Sequence, residues 1–252
     1  MKKVITLNKK EGETPLEAME NFRKKNPKYL DVPMTYAGRL DPMASGVLLI
    51  LTEEETKNKE KYLMKEKEYE FEVLFGFSTD TYDILGKVIN KQNITKTNLR
   101  HGVDVKNLEG EIKKNLKSFL GESVQKYPMY SSKTVKGKPL FAYARNGEEV
   151  EVPERKIFIK KLKLEKIRST DNKKLFENIE KRIKKVKGNF RQDEILKIWK
   201  KELQTENKRE FLVAKFKTKC SSGTYVRTIA NTLGNKLKIP SLAFSIKRTK
   251  IW

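Results

Sequence analysis

The chain contains one cysteine, Cys220, and one histidine, His101. A lone thiol cannot close an internal disulfide and a lone imidazole cannot build a multi-histidine site, which argues against a disulfide-stapled scaffold and against zinc or Cys–His chemistry. Long apolar runs are missing too. No stretch approaches the roughly twenty apolar residues of a membrane span, and the start, Met1 to Asn8, is too short an apolar run for a signal peptide. The expectation is a soluble protein of the cytoplasm, without membrane contact. Acidic residues are scarce relative to basic ones: 33 Asp and Glu against 56 Lys and Arg leave a formal charge of +23. Such an excess concentrates polyanions at the surface and makes nucleic acid the leading partner, although many lysines alternate with glutamates along helical stretches and belong to solvated faces. Neither an internal repeat nor a low-complexity tail is present. The 252 residues suffice for a substantial core.

Residues 2–7 read as a short strand, and Thr14-Pro15 as an N-cap with proline at the first helical position, opening a helix to about Asn26-Pro27. The Gly, Pro, Asp and small residues between Met34 and Ser45 predict an irregular segment before a buried strand, Val47 to Leu51. Tyr69, Phe71, Val73 and Phe75 alternate with glutamates, which is strand periodicity with one face buried. A polar connection runs from Asp80 to Gly86. A helix is expected over 97–120, strands near 149–167 and 209–219, a helix over 224–237, and a last strand through Phe244 and Ile246. Two apolar stripes, Leu175/Ile179/Ile183/Val186 and Ile195/Leu196/Trp199/Leu203, flank Gly188-Asn189 and predict a helical hairpin within 170–208. It reads either as an extra RNA-binding face or as a solvated insertion. Strands and helices mix without βαβ alternation, so the fold class is α+β.

The segment Gly38-Arg39-Leu40-Asp41-Pro42 sets a carboxylate beside a base, on a turn-rich stretch feeding an apolar strand. A loop of this kind presents a side chain while the strand behind it holds its place. Taken alone, an Asp before Pro is more often a turn former.

Residues 35–57, however, resemble the segment around the catalytic aspartate of pseudouridine synthases, with its G-x-L-D-P-x-A-x-G-V-L pattern. Three further blocks resemble the TruB branch, the tRNA pseudouridine(55) synthases: residues 65–86, residues 127–147 from Tyr127-Pro128-Met129-Tyr130 to Asn146-Gly147, and residues 220–234 with Gly223-Thr224-Tyr225-Val226-Arg227. The likeness is weakest over the first 34 residues, where Lys9 to Thr14 only approximates the family's K-P-x-G-x-T. Tyr36 stands where the family usually has histidine, which keeps an aromatic ring and loses an imidazole. The chain also ends at Trp252, so a short form is expected, one catalytic domain without the C-terminal PUA-type RNA-binding domain.

The resemblance implies a mixed, largely antiparallel sheet flanked by helices and a monomer that isomerises uridine to pseudouridine in the tRNA T-arm without metal or organic cofactor. Asp41 is then the catalytic carboxylate, acting at the ribose as nucleophile or as base; Arg227 pairs with it, Tyr69 stacks on the flipped base, and Tyr225 and Ile246 line the pocket. Lys57 and Arg39 would serve the RNA backbone or the field of the site, and Tyr36 would stack on RNA. Two alternatives stay open: a noncatalytic RNA-binding or tRNA-folding protein on the same fold, and a synthase acting on ribosomal or guide-directed RNA.

Overall fold

The structure, a computed structural model, describes residues 2–92, 105–205 and 209–252. His101 and the first residues of the helix expected over 97–120 lie outside the described residues. Twelve strands and seven α-helices follow in the order β1 (Val4–Lys9), α1 (Pro15–Lys25), β2 (Met34–Ala37), β3 (Ala44–Thr52), α2 (Lys59–Leu63), β4 (Lys67–Phe75), β5 (Phe77–Thr79), β6 (Val88–Lys91) and α3 (Val105–Leu116) among the described residues. They continue with β7 (Gly121–Lys126), β8 (Thr134–Val135), β9 (Lys138–Pro139), α4 (Leu140–Asn146), β10 (Glu154–Asp171), α5 (Asn172–Ile183), α6 (Gln192–Leu203), β11 (Glu210–Cys220), α7 (Val226–Leu237) and β12 (Ser241–Ile251).

Eight strands form one sheet in the order β1-β3-β12-β4-β11-β10-β7, with β2 added on β3. All pairs are antiparallel except β12 with β3, which run parallel from Ile246 opposite Ala44 to Arg248 opposite Gly46. This is the mixed, largely antiparallel α+β sheet expected. Local signals act as read at α1: the Thr14 hydroxyl accepts from Glu17 N–H at 3.1 Å while the Glu17 carboxylate accepts from Thr14 N–H at 2.7 Å, with Pro15 at the first position. One expectation is corrected. Met34 to Ala37, read as irregular, is a strand paired with Leu49 to Thr52. A four-residue strand next to Pro33 and Gly38 has too little pattern to stand out, and its partner is supplied only by the tertiary fold.

The sheet has two differently covered faces. On one, Tyr69, Phe71, Val73 and Phe75 of β4 meet Ala214 and Phe216 of β11 beneath α3 and α7, with the Phe71 and Phe216 rings stacked at 5.2 Å. The other changes character along its length. At one end Glu68, Glu70 and Glu72 pair with Lys217, Lys215 and Arg168 at 2.7–3.2 Å. At the other, the same face carries Leu74, Phe211, Val213, Leu242 and Phe244, all buried.

The helical hairpin covers that apolar end. Leu175, Ile179 and Ile183 of α5 and Ile195, Trp199 and Leu203 of α6 are buried in one cluster with it, and Trp199 Nε1 donates to Ile84 C=O at 3.0 Å. A fully buried large apolar side chain contributes on the order of 1.5–3 kcal/mol, so this is a second half of the core. The reading of a solvated insertion is therefore wrong: both stripes face the sheet.

Candidate active site

Asp41 lies on the connection between β2 and β3. Its carbonyl accepts from Ala44 N–H at 2.9 Å, and the carbonyl of Pro42 accepts from Gly12 N–H at 2.8 Å. Buried beneath the loop, the Arg248 guanidinium of β12 donates to the carbonyls of Val47 (2.7 Å), Gly38 (3.0 Å) and Arg39 (3.5 Å). A single cation thereby ties the carbonyls of Gly38 and Arg39, on the irregular loop, to that of Val47 in β3. Gly46 allows this approach: its φ is +107° and a Cβ there would collide with the Arg248 carbonyl oxygen.

From the first turn of α7, Arg227 points at the same carboxylate. Its Nε donates to Asp41 Oδ2 at 2.8 Å and Nη2 to Oδ1 at 3.2 Å, a two-point ion pair with fixed geometry. The guanidinium is 3% exposed and Asp41 38%, so the pair is anchored from the protein side and open at the carboxylate. Arg227 is itself held by carbonyls, through Nη1 to Thr81 at 2.5 Å and Nη2 to Tyr130 at 3.3 Å. Asp83, with Oδ2 3.7 Å from Arg227 Nε, supplies a second negative charge. Burial pushes the Asp83 carboxyl up to about 6, against the pull of Arg227 and with a further push from Asp41.

Asp41 opens onto a cleft of about 690 Å³ that also exposes Tyr36, Arg39, Tyr69, Tyr225 and Ile246. The Tyr69 ring is 8% exposed, with its hydroxyl beside Arg248 and its titration raised by burial. Tyr225 caps α7 and meets Tyr127 edge-on at 5.6 Å. Two cations lie near the Tyr36 ring, Arg39 at 5.9 Å and Lys59 at 5.6 Å from its centroid. Lys67, also on the cleft, donates to Leu63 C=O at 2.5 Å and is lowered to about 8 by burial and by Arg248.

Comparison with known proteins decides the family. TruB family pseudouridylate synthase (N terminal domain) matches residues 30–190. The chain belongs to this family. A tRNA pseudouridine synthase B from Endomicrobium trichonymphae is 31% identical over 98% of this chain and 84% of its own length. One from Bacillus cereus is 32% identical over 99% of this chain and 66% of its own, so the chain spans about two thirds of that relative. Among solved structures, a Cbf5-Nop10-Gar1 complex contains a chain with a TM-score of 0.54 at 18% identity, covering 98% of this chain and 48% of that one. At that identity the likeness is one of fold.

Of the residues singled out in the sequence of this TruB family member, the structure brings Asp41, Arg227, Tyr69, Tyr225, Tyr36, Arg39 and Ile246 to one cleft. It does not bring Lys57 there: that side chain is 74% exposed and pairs with Glu54 at 2.6 Å, three residues before it. A basic residue at the end of a sequence block is placed by the fold, and here the turn carries it outward. Sequence reasoning missed Asp83, Arg248 and Lys67, whose distinction is charge combined with burial. Nothing in the sequence set Arg248 apart, because Lys247 and Lys250 flank it on the same strand and only the fold shows which of the three is buried.

Proposed function

We propose that this protein converts one uridine of the tRNA T-arm, at position 55, to pseudouridine, acting as a monomer in the cytoplasm. The observation that carries the reading is the Asp41–Arg227 ion pair, buried at the arginine and open at the carboxylate, in the cleft that Tyr69 also lines. Arg227 supplies the counter-charge and aims the Asp41 carboxylate through two hydrogen bonds. The carboxylate then acts at the ribose of an extruded uridine, either by attack on the anomeric carbon, releasing uracil from its glycosidic nitrogen, or by removal of a sugar proton to give a glycal. The freed base turns within the cleft and its C5 bonds to the anomeric carbon, displacing the Asp41 carboxylate or, on the glycal route, with the abstracted proton returned to the sugar; C5 then loses its proton and the freed nitrogen gains one. Extrusion costs about a few kcal/mol, and stacking on Tyr69 offsets on the order of 1–3 kcal/mol of it. The names of the relatives support tRNA as the substrate class.

The test is carbodiimide primer extension on a T-arm stem-loop. Wild type is expected to leave a single stop, and Asp41→Asn none, with RNA affinity nearly unchanged. Turnover by Asp41→Asn would remove Asp41 from its role, and no stop with wild type would favour a noncatalytic RNA-binding protein.

A further inference from the structure

The turn between α5 and α6 reaches the cleft. Asn189, Phe190 and Arg191 are among the residues that wall it, beside Tyr130. Arg191 occupies the left-handed region, φ 64° and ψ 27°, a conformation that costs a non-glycine residue about 1 kcal/mol or more. The turn around it is built to keep it there: Gln192 Nε2 donates to the carbonyls of Val186 (3.0 Å) and Gly188 (2.7 Å), and Gln192 Oε1 accepts from Phe190 N–H at 2.8 Å. From this position Arg191 Nη1 donates at 2.7 Å both to Asp80 Oδ2 and to the Tyr130 hydroxyl. Its guanidinium lies 4.2 Å from the Tyr130 ring centroid.

These two partners are no ordinary surface groups. Tyr130 is the residue whose carbonyl accepts from Arg227 Nη2, and Asp80 precedes Thr81, whose carbonyl accepts from Arg227 Nη1. Arg191 therefore grips the two segments that supply both carbonyls orienting Arg227. The same hairpin holds the opposite side of the catalytic loop. Arg182 of α5 donates to the Glu11 carboxylate at 2.7–3.1 Å, and a Cβ on Gly12 would lie 2.7 Å from Lys185 Cβ, so the end of α5 packs directly on the turn whose Gly12 N–H bonds Pro42. Met43, two residues after Asp41, is buried in the hairpin's own apolar cluster.

We propose that the α5–α6 hairpin is part of the catalytic apparatus, with Arg191 as a positioning residue that sets the Arg227 guanidinium against Asp41. The proposal rests on the reading of this cleft as the uridine-isomerising site. It gives the hairpin a role in the chemical step, distinct from adding RNA-binding surface.

The measurement is the single-turnover rate of pseudouridine formation at saturating T-arm stem-loop, alongside RNA affinity and melting temperature. Arg191→Gln is expected to lower the saturating rate about tenfold with affinity within about twofold of wild type and the melting temperature kept, and Arg191→Lys to lose less. Adding Asp80→Asn to Arg191→Gln is expected to cost little more, because both break one contact. An unchanged saturating rate, or a loss confined to affinity, overturns the proposal. If Arg191→Gln does not fold, Arg191→Lys carries the same test, and a rate equal to wild type overturns it. If wild type leaves the stem-loop unmodified, the functional reading fails by itself. The positioning is then read from the Arg227 Nε–H NMR resonance, expected sharp in wild type and exchange-broadened in Arg191→Gln; identical resonances overturn it.

Discussion

The wall of the cleft made by residues 36–46, 67–69 and 246–248 hangs on backbone carbonyls gathered by one buried cation, Arg248. A second wall, from Asp80 to Asp83, Tyr130 and Arg191, adds charged side chains to the backbone: besides the Thr81 and Tyr130 carbonyls to which Arg227 donates, Arg191 ties Asp80 to the Tyr130 hydroxyl, and Asp83 Oδ2 lies 3.7 Å from Arg227 Nε. The first arrangement fixes where the Asp41 carboxylate sits; the second fixes where its counter-ion points. Backbone carbonyls are present whatever the side-chain sequence, so the first wall needs only a cation of the right reach. Matched acids and bases from three separated segments are needed for the second, and it responds to pH.

The largest effect on this contrast is expected from Arg248→Met. Three carbonyls lose their donor at once, which costs about 2–4 kcal/mol of stability. The Asp41 loop shifts, and turnover falls about 10²-fold, since misplacement on the scale of 1 Å carries such losses. Urea unfolding and single-turnover kinetics check both; a stable, active Arg248→Met would mean that the loop holds its own shape.

Asp83→Asn acts on the second wall and is expected to be smaller and dependent on pH. The native carboxyl titrates at about 6, above the roughly 3.9 of an unfolded aspartate. The folded state therefore prefers the protonated form, so this contribution to stability is fully present below about pH 4 and lost as pH rises through about 6. Removing the charge should favour Asp83→Asn progressively over wild type between pH 4.5 and 7.5 in paired urea midpoints, while its rate falls because Arg227 loses a counter-charge. A difference that does not vary with pH would show that Asp83 stays ionised throughout. The smallest effect belongs to Lys57→Ala, outside both walls: the saturating rate should stay within about twofold of wild type, as an exposed pair contributes little.

Both walls were legible in the sequence only in part. Asp41, Tyr69 and Arg227 sit in blocks whose likeness to a family is local, so each was legible without the fold. The alternation of β4 was equally plain, because a strand with one buried face writes its period into consecutive residues. Asp83 and Arg191 were not legible, since an aspartate in a polar turn and an arginine after Gly188-Asn189 look like solvent-facing loop residues until burial and partners are known. The hairpin's stripes could be read, but not what they cover: Leu74, Val213 and Leu242 come from three strands and form an apolar patch only when these pair. Four-residue β2 fell to the same cause, as its evidence lies in β3.

The solitary Cys220 has a practical consequence. It is buried, and burial lifts its thiol to about 11, so at neutral pH it holds its proton and is shielded from reagents. The protein thus behaves towards maleimides as if it had no thiol. A reporter introduced at exposed Lys187, beside the hairpin turn, would give a signal from that one place, and the distance between turn and bound RNA becomes an optical measurement.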